Sequence, residues 1–252
     1  TGSFWTERTY TMENSTADYT YIDRNLARVR ERIAVACREA GRDPSEVTLL
    51  AAVKYADADE VNHLLSLGVT DIGENRVQQL LDRYDKLEHK EDTRVHFIGT
   101  LQTNKVKYLM GKVSMIHSLD SLKLAAEIDR QSEKHGIVTD VLVEINSGHE
   151  ESKSGVAPEE AEALCRALPD YPNLHLAGFM TMAPKCTASE EYRKYFRETF
   201  ALCLDIWSKR LHNKMRPVMS MGMSDSFEEA ILEGATIVRV GRGLFVKDTE
   251  TC

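Results

Sequence analysis

Residues 47–75, VTLLAAVKYADADEVNHLLSLGVTDIGEN, decide the fold. They open on a near-continuous apolar run, VTLLAAV (47–53), of the kind a strand buried on both faces requires. Polar sequence beginning at Lys54 breaks the run. An amphipathic segment (57–67) follows, and Gly68 leads into a second short run, VTDIG (69–73). A strand, a helix and a strand joined by short connections make a βαβ unit, which pairs its strands in parallel.

The same alternation extends along the chain. Further strand candidates are 95–99, 114–118, 139–146, 174–180, 217–222 and 236–241. Helix candidates lie between them at 75–88, 103–110, 120–135, 158–168, 189–212 and 225–233. Ahead of the first strand, residues 21–40 carry Ile22, Leu26, Val29, Ile33 and Ala36 or Cys37 at helical spacing, and Gly41 stops them. Eight strands alternating with helices predict the α/β class, as a single (β/α)8 TIM barrel with an extra N-terminal helix. A doubly wound open sheet would need an internal crossover, and no Gly-x-Gly-x-x-Gly follows the first strand. Residues 21–252 are expected to form one domain. Residues 1–20 are polar and irregular, and read as a disordered lead-in, partly of cloning origin.

Composition narrows the function. The chain has 252 residues, 42% of them hydrophobic, and 32 basic against 40 acidic side chains give a net charge of -8. An acidic chain without a basic stripe is a poor nucleic-acid binder. The five cysteines (Cys37, Cys165, Cys186, Cys203, Cys252) are odd in number and form no Cys-x-x-Cys pair, which fits free thiols in a reducing cytoplasm. No apolar run reaches the length of a membrane span, and no signal-peptide pattern opens the chain. The histidines are scattered without metal-ligand spacing, so no metal site is expected.

In such barrels the chemistry gathers at the C-terminal ends of the strands. There the chain places Lys54, Asn75, Thr181, Ser220, Ser224, Arg239 and Arg242. The seventh and eighth turns are where barrels hold phosphate. In GMSDS, Ser224 is expected to cap a helix whose N–H groups face an anion. In VGRG, Gly241 and Gly243 let backbone approach closely. A lysine beside a phosphate cradle suits Schiff-base chemistry with a phosphorylated aldehyde. Pyridoxal phosphate is the first candidate, and an aldolase or a phosphosugar isomerase remains open on these residues alone.

Taken together, AVKY (52–55), GENRVQ (73–78), HFIGTLQTNK (96–105), VLVEINSGHEESKSGV (141–156), GFMTMAP (178–184) and SMGMSDSFEEAILEGATIVRVGRGLF (220–245) resemble the pyridoxal phosphate homeostasis proteins. The resemblance covers about residues 21 to 246. It implies a fold type III barrel like the N-terminal domain of alanine racemase, with pyridoxal 5′-phosphate on Lys54. It further implies that Arg239 faces the pyridine nitrogen, that Ser224 with the backbone at Gly241 and Arg242 cradles the phosphate, and that Asn75 lies near the ring. Ser220 and Met221 are placed on the strand lining the pocket.

The implied function is binding and carriage of the cofactor in vitamin B6 homeostasis. The protein would be a cytoplasmic monomer rather than an enzyme, with apo-enzymes as recipients. A low-activity amino-acid racemase is the alternative. Two departures stand out. Where relatives carry SKTKP this chain has VKYAD, with Ala56 and Asp57 replacing a second lysine and a proline. Arg242 replaces the usual threonine or serine.

Overall fold

The computed structural model describes residues 17–151, 154–209 and 215–247. The disordered or cloning-derived lead-in expected over 1–20 falls almost wholly outside them, as does Cys252. Eight parallel strands close into one barrel in chain order: β1 (Thr48–Ala52), β2 (Asp71–Glu74), β3 (Arg94–Phe97), β4 (Met115–Leu119), β5 (Thr139–Ile145), β6 (Leu174–Thr181), β7 (Val218–Ser220) and β8 (Ile237–Val240). Closure is made by β1 on β8, with Thr48 opposite Ile237 and Leu50 opposite Arg239.

Around the barrel run α1 (Thr20–Glu39), α2 (Ala58–Ser66), α3 (Val77–Tyr84), α4 (Leu122–Lys134), α5 (Pro158–Ala167), α6 (Ser189–Lys209), α7 (Phe227–Leu232) and α8 (Arg242–Phe245). Local chemistry sets the boundaries. Asp57 and Glu60 form a reciprocal capping box that starts α2, each side chain accepting the other's backbone N–H at 2.8 and 2.9 Å. Ser121 Oγ accepts from Leu124 N to start α4, and Pro158 opens α5. Gly41, at φ 65°, ends the α1 segment in a conformation glycine adopts freely.

Two helix expectations change. The segment expected over 103–110 is a 3₁₀ helix, Thr103–Tyr108, closed by i→i+3 bonds such as Lys105 N to Gln102 O. The helix expected over 75–88 begins only at Val77, because Arg76 is extended. The expected end of α6, residues 210–212, lies outside the described residues.

Strand alternation divides the core into two layers. Ala51, Val53, Ile72, Val95, Phe97, Ile116, Val141, Val143, Phe179, Met219 and Val238 face the helices and join the large core. Leu50, Ala52, Ile98, Met115, Val218 and Ile237 form a small separate cluster inside the barrel. Space there is tight: a Cβ on Gly73 would meet Leu50 Cδ2 at 2.4 Å and Ile98 Cδ1 at 2.9 Å. Beside this cluster the interior carries Leu142 and Met180 and a set of polar side chains, and the polar set builds the site.

Candidate functional site at the barrel mouth

Lys54 lies two residues beyond Ala52, and so continues the inward alternation of Leu50 and Ala52 just past the end of β1. It is half-buried, with Nζ 5.1 Å from the centroid of the Tyr55 ring, which is 82% exposed. Across the barrel seam Gly241 stands beside Ala52, two residues before the lysine. A Cβ on Gly241 would meet Ala52 O at 3.0 Å and Ala52 Cβ at 3.2 Å, so the turn after β8 runs hard against the end of β1.

The loop carrying Lys54 is held from behind. Arg83 Nη2 donates to Val53 O (3.1 Å) and Ala56 O (2.6 Å), the carbonyls on either side of the lysine. Its Nη1 donates to Glu74 Oε1 at the end of β2. Both side chains of this pair are buried. Burial raises the Glu74 carboxyl, with Arg83 pulling the other way.

Arg239 is 3% exposed and points into the barrel from β8. Nη1 donates to Ser220 Oγ (2.7 Å) and Nη2 to Thr181 O (2.9 Å). Both partners are neutral. Burial therefore lowers the guanidinium to about 10, opposed only by the field of Glu144. The result is a buried cation offered to the pocket without a carboxylate clamped on it.

The turns after β7 and β8 touch. Ser224 Oγ accepts from Gly243 N (3.2 Å), and Arg242 Nη2 binds both oxygens of Asp225 (2.8 Å each). Gly222, at φ 94°, lets the β7 turn fold down, since a Cβ there would meet Ala230 Cβ at 2.6 Å.

Several expected residues do not sit as anticipated. Ser224 does not cap α7: Ser226 holds that position, and the Ser224 hydroxyl is used across the two turns instead. The Arg242 side chain is exposed and spent on Asp225, so only its backbone is available to a cradle. Met221 follows the inward Ser220 and therefore faces outward, into the core beneath the helices. Asn75 is half-buried and borders a cleft of about 460 Å³ shared with Arg76, Gln102, Lys105 and Tyr108, on the α3 side of the mouth. Of the segment 147–155, residues 152 and 153 lie outside the described residues.

Sequence reasoning passed over Glu144, Asp71, His96 and His117, all buried inside the barrel. The signal was present: each is a polar residue at an inward position of a barrel strand. Glu144 Oε1 accepts from Ser154 Oγ (3.1 Å). Burial, helped by the charge of Asp120, pushes its carboxyl up to about 7, against the Ser154 hydrogen bond and Arg239. The folded chain therefore holds a proton that the unfolded chain releases near 4.5, and stability falls as pH rises between 4.5 and 7. Glu144→Gln removes this dependence. It is expected to make the protein about 1–3 kcal/mol more stable than the parent at pH 8, and nearly equal to it at pH 4.5. Urea unfolding at the two pH values measures the difference, and equal gaps at both would refute it.

Comparison with known proteins adds to this geometry. Residues 24–248 match the family model described as alanine racemase, N-terminal domain. The chain is 47% identical over 220 residues to the pyridoxal phosphate homeostasis protein of Aquifex aeolicus (strain VF5), covering 87% of this chain and 95% of that one. The protein of the same name from Escherichia coli (strain K12) is 34% identical over 230 residues, covering 89% and 95%. Among solved structures, PipY of Synechococcus elongatus PCC7942, a COG0325 family member with PLP bound, superposes with a TM-score of 0.77 at 26% identity. That match covers 89% of this chain and all of PipY.

Proposed function

The chain belongs to the pyridoxal phosphate homeostasis proteins, on the barrel of the alanine racemase N-terminal domain, and from that premise we propose that it binds and carries pyridoxal 5′-phosphate as a Schiff base on Lys54. The observation that carries this reading is the pairing at the mouth. A half-buried lysine stands just past the end of β1, the strand whose Ala52 lies hard against the glycine turn of β8. Arg239 stands alongside as a buried cation whose two hydrogen-bond partners are neutral. PipY, built on the same barrel, has PLP bound.

The residues fit the cofactor. Lys54 Nζ is the amine for the aldehyde carbon, and the condensation releases one water with no oxidant or reductant. Ser224 and the backbone of Gly241 and Arg242 hold the phosphate, in turns already tied together by the Ser224–Gly243 bond. Arg239 is the residue for the ring nitrogen, and Ser220 and Thr181 fix its plane. A fixed cation there disfavours protonation of the nitrogen, which weakens the electron-sink chemistry that pyridoxal phosphate supplies to transaminases. The site is thereby suited to holding the aldehyde rather than turning over amino acids. In this reading the chain from residue 21 onward is one cofactor-binding domain. It acts as a monomer in the cytoplasm, with apo-enzymes as recipients.

Borohydride reduction of the loaded protein followed by peptide mapping tests the assignment. The expected result is one pyridoxyl group per chain, on Lys54. Label spread over surface lysines would overturn it.

One observation favours the alternative, a low-activity racemase. Glu144 titrates in the neutral range within the field of Arg239, and so supplies the proton-exchanging carboxyl that such an enzyme needs besides the lysine. Incubation with single L-amino acids and chiral detection of the D-form decides between them. Turnover that Lys54→Ala abolishes would replace the carrier reading.

A further inference from the structure

Below the mouth, five side chains from five strands form one unbroken column. Arg239 Nη1 lies 2.7 Å from Ser220 Oγ, Ser220 Oγ 3.0 Å from His117 Nδ1, His117 Nε2 2.9 Å from His96 Nδ1, and His96 Nε2 2.8 Å from Asp71 Oδ1. All five are buried. Arg94 closes the base of the column, with Nε and Nη2 each 2.9 Å from an Asp71 oxygen, and its side chain is 62% exposed. The column thus runs from the pocket to the solvent at the opposite end of the barrel. A barrel interior of this kind is ordinarily packed with branched apolar side chains.

The ends fix the direction of the first and last bonds. A guanidinium only donates and a carboxylate only accepts. Burial pushes up the Asp71 carboxyl, but hydrogen bonds from His96, Arg94 and Thr70 outweigh it and hold it well below the usual carboxylate range. His117 is neutral, because burial lowers it far below its ordinary value, with His96 and Arg239 adding to the effect. One arrangement runs every bond of the column the same way, from the guanidinium toward the carboxylate. Arg239 donates to Ser220, Ser220 to His117, His117 through Nε2 to His96, and His96 through Nε2 to Asp71.

Ser220 is the joint. In that arrangement its hydroxyl proton goes to His117 and its oxygen presents lone pairs to Arg239. Without an acceptor at His117 Nδ1, that hydroxyl rotates and Nη1 loses its fixed partner.

We propose that His117 and His96, acting through Ser220, are positioning residues for Arg239: they hold its guanidinium in one plane facing the pocket. The proposal deepens the assignment of Arg239 to the cofactor's ring nitrogen and rests on that reading for its functional meaning. The column itself is a property of the free protein. The same logic governs metal sites, where outer partners orient the group that touches the ligand.

The test therefore has two parts. In the free protein, nitrogen NMR is expected to show His117 protonated on Nε2 and slowly exchanging guanidinium protons on Arg239. His117→Phe should speed that exchange about tenfold or more, while His117→Asn, which keeps an acceptor for Ser220, should preserve most of the protection. Phe179→Leu, a packing change in the outer core, serves as the stability control and should leave the exchange near parental. In the loaded protein, His117→Phe should shift the pH midpoint of the visible cofactor band by about half a unit or more, and the control should not. Unchanged Arg239 exchange in His117→Phe, or a His117 proton on Nδ1, overturns the proposal. Altered exchange in a protein that takes up no cofactor upholds the positioning and instead sinks the assignment of pyridoxal phosphate to this pocket.

Discussion

Lys54→Ala protein will bind pyridoxal 5′-phosphate at least about 100-fold more weakly than the parent, a loss of about 2.7 kcal/mol or more, and will show no visible band fixed by reduction. The loss is large because the lysine supplies the covalent link. It is not total, because the other contacts are independent of it. Ser224 remains joined to Gly243, Gly241 remains pressed against Ala52, and Arg239 remains held by Ser220 and Thr181. Alanine fits at position 54, since the loop is fixed through the backbone carbonyls of Val53 and Ala56 rather than through the lysine side chain. Equilibrium dialysis with the parent and the variant measures the ratio. Affinity equal to the parent's would show that Lys54 is only the point where β1 exits to solvent.

Replacing Arg83 by methionine should destabilise the protein by about 3–5 kcal/mol, because it strands the Glu74 carboxylate inside the barrel wall and releases the Lys54 loop. Three hydrogen bonds go at once: to Glu74, to Val53 O and to Ala56 O. Much of the penalty comes from the abandoned charge. The double variant Glu74→Met/Arg83→Met should therefore recover a large part of the stability while leaving the loop untied. Denaturant unfolding gives the first quantity and cofactor affinity the second. Stability restored with affinity still reduced would separate the two roles of Arg83. A single variant within about 0.5 kcal/mol of the parent would show that the buried pair contributes nothing.

The barrel was legible because β1, β5, β6 and β8 carry apolar runs bounded by turn signals, and because the intervening segments keep helical spacing. The site was legible in part. Lys54, Ser220 and Arg239 were visible as polar groups at the ends of greasy runs. What failed was register within a turn or strand. SDS offers hydroxyls two residues apart, and only the observed start of α7 at Phe227 shows that Ser226 takes the cap position while Ser224 serves Gly243. Met221 was grouped with Ser220, although consecutive strand residues face opposite ways. The histidines were dismissed as scattered because the stagger of neighbouring strands cannot be read from one strand at a time. The pairing of His96 with Met115 across β3 and β4 leaves His117 one inward step above, within reach of His96 Nδ1. Glu144 was hidden in the same manner, as a charge inside a strand chosen for its apolar content.

The barrel seam joins the first strand to the last. Asn25 of α1 donates through Nδ2 to Leu244 O and Val246 O, the former 219 residues away, and β1 finds its second partner only in β8. For a chain emerging from the ribosome this order has a cost in time. The segment bearing Lys54 is translated well before the arginine that completes the pocket. Until β8 arrives, seven strands wait with two unpaired edges, the arrangement most open to intermolecular pairing. Closure is one long-range event that waits for β8, and the lysine meets its pocket in that same event.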